Sequence, residues 1–405
     1  MRLTSAIALA LLVLAGCPAP RAAPPATPSP RPDAPPAPPD APDAPSAPAI
    51  AWTRVETAAD LPGAPPAAGT WRIHLIDVGT GLAILVEGAD FTLLYDAGTN
   101  DPDEKPARVL AYLGAALGPS GPAPGGAAAA ADPTCAATGA AAGARRRVDH
   151  VVLSHPHLDH ASALDEVVRC YQVGTLWDAG RINHAVFYRD LLLTVAATTG
   201  THYRTAAPPP ADRTLTVKGV AVTIPPAVPW QSFSEGDEVA LGAGARMTIL
   251  HAEPKGHADP NGNSIVIAVD LGAARLLLTG DAESGPRADP SAPLGDVEQH
   301  LVERFAPQLD ADILQVGHHG SKTSSRRAFL AAVTPSLALV SAGPRSYKGT
   351  RLPDPEVLAA LEDAGATVLR TDLRDGACPL VERLGPGKGP GGCDSWLITV
   401  GAGAP

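Results

Sequence analysis

The chain has 405 residues and a formal net charge of −11 at pH 7. This length allows one large domain or two domains of ordinary size. The acidic balance excludes a surface that is broadly suited to polyanions, although it leaves room for a local basic patch in a cleft.

The first residues have the features of an export signal. Met1–Arg2 gives a short positive start, and residues 3–14 form an apolar run that is too short to span a bilayer as a mature helix. The sequence Leu14–Ala15–Gly16–Cys17 follows, which predicts a signal peptide over residues 1–17. It resembles a bacterial lipobox, so we expect a lipidated Cys17 to anchor the protein to a membrane of the cell envelope. An ordinary signal peptide with an incidental cysteine is the alternative.

The segment after Cys17 is almost wholly Pro, Ala, Ser and Asp as far as Pro48. Such a composition has nothing to bury and predicts an extended tether. Because the strand pattern starts near Thr70, we expect residues 18–69 to be a disordered tether and residues 70–405 to be one folded domain.

The folded part begins with short β-rich runs that Gly and Asp turns separate, as in an antiparallel meander. A helix, a low-complexity Ala/Gly insertion near residues 119–144 and a strand–helix series come next, and we expect the insertion to be disordered. The predicted elements are the strands Trp71–Val78, Leu82–Glu87 and Phe91–Tyr95, the helix Lys105–Leu117, the strand Val148–Leu153, the helix Ser162–Arg169, the strand Val173–Trp177 and the helix Ala185–Ala197.

The second half of the chain repeats this order. Its predicted elements are the strands Glu238–Leu241, Arg246–His251, Ser264–Leu271 and Arg275–Thr279, the helix Asp296–Phe305, the strand Ile313–Val316, the helix Arg326–Val333, the strand Leu337–Ser341, the helix Pro355–Ala364, and the strands Thr367–Arg370 and Ser395–Val400. Two similar halves predict an α/β fold in which two sheets pack face to face with helices outside, a four-layer αββα sandwich.

Four cysteines remain beyond Cys17, and an even number in an exported protein permits disulfides. Three pairings of Cys135, Cys170, Cys378 and Cys393 exist, and the sequence does not choose among them. We favour Cys378 with Cys393, which bracket a Gly/Pro-rich loop, and Cys135–Cys170 is the complement.

The segment His155–Pro156–His157–Leu158–Asp159–His160 follows directly after a predicted buried strand. Neutral imidazoles and a carboxylate suit Zn²⁺ and similar metals. His155 and His157 can share one ion, and Asp159 and His160 can reach a second ion a few ångströms away. A polar loop with hydrogen-bonded histidines is the alternative.

Two later strands also end in residues that can bind a metal. Asp281 follows Leu276–Gly280, where its carboxylate could bridge two cations, although aspartates at strand ends are often turn formers. His318 and His319 follow the strand Ile313–Val316 and could otherwise form a surface turn. Three strand ends with ligand chemistry strengthen the prediction of one metal centre.

These segments resemble the metallo-β-lactamase superfamily, whose signature is His-x-His-x-Asp-His, and within it the hydrolase domain of ComEC-type competence proteins. The likeness covers residues 71–372 without the insertion. It rests on the segments Ile76–Gly81, Tyr95–Gly98, Leu153–His160, Asn263–Val266, Leu278–Asp281 and Val316–Ser324.

The resemblance implies one or two divalent ions, Zn²⁺ first and Mn²⁺ second. His155 and His157 would bind the first ion, Asp159 and His160 the second, and Asp281 would bridge them. Either His318 or His319 would complete the second site. Asp96 would support the metal loop through hydrogen bonds from outside the ligand set, and Asp77 would lie at the edge of the site.

The chain departs from ComEC-type domains at Thr80 and Leu82, where Gln and Asp are usual. Many superfamily members also have another histidine between the metal loop and the bridging aspartate. This chain has Asn263–Ser264 there, as ComEC-type domains generally do, and we expect both residues to contact substrate. His251 and His257 are the nearest alternative ligands.

Ser321 and Lys322 follow His319, together with Thr323 and Ser324, at a predicted loop-to-helix junction. Hydroxyls, backbone amides and a cation at such a junction suit a phosphate. Ordinary capping of the helix is the alternative interpretation.

These features predict a membrane-tethered, extracytoplasmic hydrolase that uses a metal-activated water, which Asp159 or Asp281 would orient. We favour a phosphodiester or nucleic-acid substrate over a lactone, thioester or β-lactam. A non-catalytic binding module of the cell envelope is the further alternative. The sequence names no protein partner.

Overall fold

The strand-forming segments pair into two large sheets in the computed structural model, which describes residues 48–101, 107–118, 135, 147–375 and 392–401. The first sheet has antiparallel strands on one side and parallel strands on the other. Its strands, in spatial order, are β1 (Ala49–Val55), β20 (Ser395–Gly401), β2 (Thr70–Leu75), β3 (Ile84–Glu87), β4 (Thr92–Tyr95), β5 (Arg147–Leu153), β6 (Gln172–Asp178), β7 (His202–Thr205) and β10 (Trp230–Ser232).

The second sheet has the same plan, with antiparallel strands followed by parallel ones. Its order is β11 (Glu238–Gly242), β12 (Ala245–His251), β13 (Val266–Leu271), β14 (Ala274–Leu278), β15 (Ile313–Gln315), β16 (Leu337–Val340) and β19 (Thr367–Arg370). Two hairpins lie outside the sheets, β8 (Thr214–Val217) with β9 (Val220–Thr223), and β17 (Ser346–Tyr347) with β18 (Thr350–Arg351).

The apolar residues form three packed layers. Side chains on successive strand residues point to opposite faces, so Leu276 and Leu278 of β14 enter the core between the sheets while Leu277 faces the helices. The described helices are α1 (Ala107–Leu117), α2 (Leu158–Ala161), α3 (Leu164–Cys170), α4 (Val186–Ala197), α5 (Asp296–Leu309), α6 (Arg327–Val333) and α7 (Pro355–Asp363).

Helices α1, α3 and α4 share an apolar core with the first sheet, and α5, α6 and α7 share one with the second. The predicted four-layer αββα sandwich is therefore confirmed. Within the described ranges, no helix is both long enough and apolar enough to cross a membrane.

The predicted tether boundary at residue 69 is wrong. Residues 49–55 form β1, which pairs antiparallel with β20 along its whole length, and Val55 is fully buried. Ile50, Trp52 and Val55 give this short segment the β-branched and aromatic character that a strand favours. The predicted signal, Cys17 and the tether as far as residue 47 lie outside the described residues.

One predicted disulfide is present, between Cys135 and Cys170. Cys393 is also disulfide-bonded, but its expected partner Cys378 lies outside the described residues. The rest of the insertion near residues 119–144 lies outside them as well, so its predicted disorder stays a prediction.

Candidate metal centre

The predicted ligands meet where parallel strands of both sheets end. The loop that carries His155 to His160 follows β5, Asp281 follows β14, and His318 and His319 follow β15. Because neighbouring parallel strands end at the same edge of a sheet, these loops can bring distant side chains together.

The first cluster consists of His155, His157 and Asp281, whose ligand atoms all lie within 4.8 Å of one another. Nε2 of His155 is 2.9 Å from Nδ1 of His157 and 3.8 Å from Oδ2 of Asp281. The other ring nitrogen of His155 faces the hydroxyls of Ser154, at 3.1 Å, and Ser264, at 3.4 Å. Both hydroxyls therefore help to fix the orientation of this ring.

The second cluster consists of Asp159, His160 and His319. Nε2 of His319 is 3.6 Å from Oδ2 of Asp159 and 3.8 Å from Oδ2 of Asp281. Nε2 of His160 lies 3.2 Å from Oδ1 of Asp281. Asp281 therefore faces both clusters, which is the position that a bridging carboxylate requires.

Several buried polar atoms at the centre lack a hydrogen-bond partner among the described residues, and they indicate whether a metal ion fits there. Nε2 of His160, Nε2 of His319 and Oδ1 of Asp281 are buried and make no hydrogen bond within the described part of the chain. A buried polar atom without a partner costs about 1–3 kcal/mol. Imidazole nitrogens and carboxylate oxygens are ligands for borderline divalent ions, so one or two such ions would satisfy these atoms.

The histidines at the centre also determine the charge of its two carboxylates. Burial alone would raise the pKa of Asp281, but His160, His319 and His318 together hold that pKa well below its usual range. Burial alone would likewise raise the pKa of Asp159, which His319 and His160 lower. Both carboxylates are therefore ionised at neutral pH and available as ligands.

Asp96 lies outside the two clusters and forms hydrogen bonds with the loop that carries their histidines. Its Oδ2 accepts hydrogen bonds of 2.7 Å from Nδ1 of His160 and from the hydroxyl of Ser154, and its Oδ1 accepts one of 2.7 Å from the Ser154 amide. The bond from Nδ1 leaves Nε2 of His160 free to face the cluster. His319 is oriented in the same way, because its Nδ1 donates to the carbonyl of Ser341 at 2.9 Å.

Asp77 contacts none of the six cluster residues among the contacts of the described residues. Its carboxylate is fully buried and accepts hydrogen bonds from the amides of Gly79, Gly392 and Asp394, and it lies 3.9 Å from Nη1 of Arg108. These contacts join the loop after β2 to the segment before β20. Asp77 therefore stabilises the packing of the segment before β20 against the loop after β2.

The structure separates the two adjacent histidines that the sequence left as alternatives. His319 belongs to the second cluster, whereas His318 belongs to neither. His318 is 22% exposed, with Nε2 at 3.7 Å from Oδ2 of Asp281. Its Nδ1 contacts Glu283 at 2.9 Å and the hydroxyl of Thr323 at 2.8 Å. Glu283 was missed by the sequence reasoning.

Two residues predicted to bind substrate have other partners. The buried amide of Asn263 bonds the backbone of Glu253, Lys255 and His257, so it shapes that loop. Lys322 pairs with Glu356 at 2.7 Å. Local sequence pattern did not reveal these neighbours, and contact of the two residues with substrate stays a prediction.

The other two predicted substrate residues lie at the site in different ways. Ser264 is buried, and its hydroxyl accepts from the amide of Asp281 at 3.2 Å, so it supports the proposed ligands. Ser321 lines the cleft at the centre. Within the described residues, His251 makes no hydrogen bond to a ligand of either cluster. Its Nδ1 faces the carbonyl of Ser264 instead.

A cleft of about 670 Å³ opens onto the two clusters. Its walls include the cations Arg287 and Lys348, and Tyr347. The Tyr347 hydroxyl donates to Oδ2 of Asp159 at 2.5 Å, and its ring stacks on that of His319 with centroids 6.0 Å apart. Tyr347 and Asp159 are 188 residues apart, and no local motif pointed to this contact.

Comparison with known proteins agrees with this geometry. Residues 76–343, more than half of the chain, match the family model of the metallo-beta-lactamase superfamily. The chain is 35% identical to the competence protein ComA of Neisseria gonorrhoeae over 131 residues, which are 32% of this chain and 17% of ComA. It is 26% identical to Recombination protein 2 of Haemophilus influenzae over 279 residues, 68% of this chain and 24% of that protein.

The chain thus matches at most about a quarter of the length of these two relatives. Among solved structures, the metallo-beta-lactamase fold protein YhfI from Bacillus subtilis is similar with a TM-score of 0.40 and 12% identity, over 75% of this chain and 97% of YhfI. The predicted resemblance, including that to ComEC-type competence proteins, is confirmed. The chain belongs to the metallo-β-lactamase superfamily.

Proposed function

We propose that this metal-dependent hydrolase cleaves phosphodiesters of the nucleic-acid type. The observation that carries the proposal is the cleft itself, in which two ligand clusters, both facing Asp281, open beside the cations Arg287 and Lys348. A phosphodiester is an anion and gains from both features, whereas a neutral acyl substrate has no use for the two side-chain cations.

The names of the relatives point in the same direction. Competence protein ComA and Recombination protein 2 are named for processes of nucleic acids. This chain spans only part of those proteins, so the names support a nucleic-acid substrate without identifying it.

The roles of the residues follow from their positions. His155, His157 and Asp281 would hold one ion, and Asp159, His160 and His319 a second, with Zn²⁺ or Mn²⁺ as candidates. Such ions supply Lewis acidity and a water whose pKa is lowered toward neutrality.

The protein groups around the clusters have complementary tasks. Asp96 and Ser341 hold the imidazoles of His160 and His319 in the required tautomer. The Tyr347 hydroxyl fixes Oδ2 of Asp159. Arg287 and Lys348 place positive charge where the substrate phosphate enters, because both line the cleft.

Turnover of the purified full chain tests the proposal. We expect hydrolysis of bis-p-nitrophenyl phosphate with added Zn²⁺ or Mn²⁺, and none after chelation. Asp281→Ala should lower kcat/KM at least 100-fold. Asp312→Ala is the matched control, because Asp312 precedes β15 at the opposite end of the parallel strands and bonds the Arg275 amide; it should retain activity. Turnover confined to a panel of p-nitrophenyl esters, lactones and thioesters would instead assign the acyl class.

We further propose that the enzyme works outside the cytoplasm from a lipid anchor on Cys17. The N-terminal pattern and the disulfide between Cys135 and Cys170 support an oxidising compartment. Metabolic labelling with an alkyne fatty acid should mark the wild-type protein in the membrane fraction. A Cys17→Ser protein should carry no label, and equal labelling of the two proteins would contradict the anchor.

A further inference from the structure

A small hairpin forms one wall of the cleft. It consists of β17 and β18, joined by a two-residue turn at Lys348 and Gly349. Both turn residues have positive φ, +48° and +87°, as a tight two-residue hairpin turn requires. Tyr347, Lys348 and Thr350 all line the cleft, so the hairpin presents its turn to the substrate.

The hairpin is fastened to the metal centre. The hydroxyl of Tyr347 donates to Asp159 and accepts at 3.4 Å from the side-chain amide of Asn100. Just before the hairpin, the amide of Arg345 donates to the hydroxyl of Thr80 at 3.0 Å. These contacts hold the Lys348 turn at a defined place at the mouth of the cleft, beside the second cluster.

The ammonium group of Lys348 has no carboxylate partner among the described residues, whereas that of Lys322 is paired with Glu356. Its side chain is exposed at the cleft. A long cationic side chain in this position is free to bind an anion that enters.

Arg287 supplies a second cation in the same cleft. Its Nη2 contacts both carboxylate oxygens of Asp354, at 2.6 and 2.8 Å, and its Nη1 donates to the hydroxyl of Ser321 at 3.1 Å. The side chain is still 40% exposed. A guanidinium carries five N–H donors, so this oriented group keeps donors for a ligand.

Neither cation contacts the six residues of the two clusters in the described contacts, so neither is needed to hold the ions. Both cations are therefore available to a phosphate that lies in the cleft beside the one at the clusters. On the basis of the proposed function, we propose that Lys348 and Arg287 bind a second phosphate of a polynucleotide, next to the phosphate that is hydrolysed.

Calorimetric binding of two short ligands tests this site on the zinc-loaded full chain. The ligands are the phosphorothioate forms of dTpdT, with one phosphate group, and dTpdTpdT, with two. We expect the wild-type protein to bind the trinucleotide about tenfold more tightly than the dinucleotide. Lys348→Gln should reduce this gain to threefold or less, and Lys348→Arg should preserve it. The logarithm of the binding constant for the trinucleotide falls linearly with the logarithm of the salt concentration. In Lys348→Gln the magnitude of this slope should decrease by about 0.7, as expected for one lost single-strand phosphate contact.

Lys218→Gln is the matched control. Lys218 and Gly219 form the turn of the β8–β9 hairpin with the same signs of φ, +52° and +76°, but Lys218 does not line the cleft. This variant should keep the tenfold gain. The second-phosphate site is overturned if Lys348→Gln still binds the trinucleotide about tenfold more tightly than the dinucleotide, or if Lys218→Gln loses this difference equally. It is also overturned if the wild-type protein binds the two ligands with the same affinity.

Turnover of bis-p-nitrophenyl phosphate in the same buffer separates the two proposals. Turnover without the trinucleotide gain rejects the second-phosphate site and leaves hydrolysis intact. A Lys348-dependent gain without turnover supports the site and rejects the proposed reaction.

Discussion

Replacing Asp96 by asparagine tests how the fold prepares the metal centre. Asp96 receives three hydrogen bonds, from Nδ1 of His160 and the hydroxyl of Ser154 on one oxygen and from the Ser154 amide on the other. Its φ is +57°, a conformation that Asn also tolerates. Asp96→Asn therefore removes the charge and one acceptor with little change of shape.

The expected loss follows from this geometry. An amide has a single acceptor oxygen, so one of the donors faces an NH2 group whichever way the side chain turns. The bond that fixes the tautomer of His160 also changes from charged to neutral. Loss of such supporting groups commonly lowers metal affinity about 10–100-fold, which corresponds to about 1.4–2.8 kcal/mol of binding free energy.

Competition with a chromophoric chelator measures the zinc affinity, and urea denaturation of the metal-free protein measures stability. Asp178→Asn is the matched control. Asp178 is fully buried and accepts from the hydroxyls of Tyr188 and Tyr203 at 2.8 Å and from the Gly180 amide at 2.9 Å. Both variants should lose stability, and only Asp96→Asn should lose zinc affinity.

Zinc binding within twofold of the wild type in Asp96→Asn would refute the role of this carboxylate. An equal loss in Asp178→Asn would show that general destabilisation, rather than the bond to His160, weakens the centre.

The adjacent histidines should differ, because only His319 belongs to a ligand cluster: by elemental analysis after gel filtration, His319→Ala should retain about one zinc fewer than the wild type, and His318→Ala should keep the full complement. The opposite pattern would reverse the assignment. Asp77→Ala should lower the free energy of unfolding in urea by about 3 kcal/mol, since three backbone amides lose their acceptor, while zinc stoichiometry stays unchanged; a protein of normal stability that lacks zinc would contradict this. Burial lowers the pKa of His150 to about 4, and the Trp177 indole donates to its Nδ1. Because the unfolded chain takes up this proton near pH 6.5, stability should fall as the pH drops from about 6.5 to about 4, and His150→Phe should reduce the loss measured in urea between pH 7.5 and 5 by about 2 kcal/mol; an unchanged loss would disprove the assignment.

The sequence predicted features that depend on neighbours along the chain. The alternation of apolar residues on β14 and the repeated order of strands and helices are local patterns, so the αββα architecture could be derived. The run from His155 to His160 carries its chemistry within six residues, and its position after β5 is equally local.

Features that depend on distant partners could not be derived in this way. Tyr347 reaches Asp159 from a hairpin 188 residues away. The hydrogen bonds of Asn263 to the backbone of Glu253, Lys255 and His257 appear only in the structure. His318 and His319 have the same side chain and adjacent positions, and only the three-dimensional course of the turn after β15 separates them.

The two sheets contribute unequal shares of one binding centre. His155, His157, Asp159 and His160 follow a strand of the first sheet, while Asp281 and His319 follow strands of the second. Neither half of the polypeptide could chelate both ions alone. An ion that binds only the folded protein, in which both halves are assembled, would stabilise it by about 2.7 kcal/mol at a free concentration 100 times the Kd, so the supply of the metal would affect folding as well as turnover.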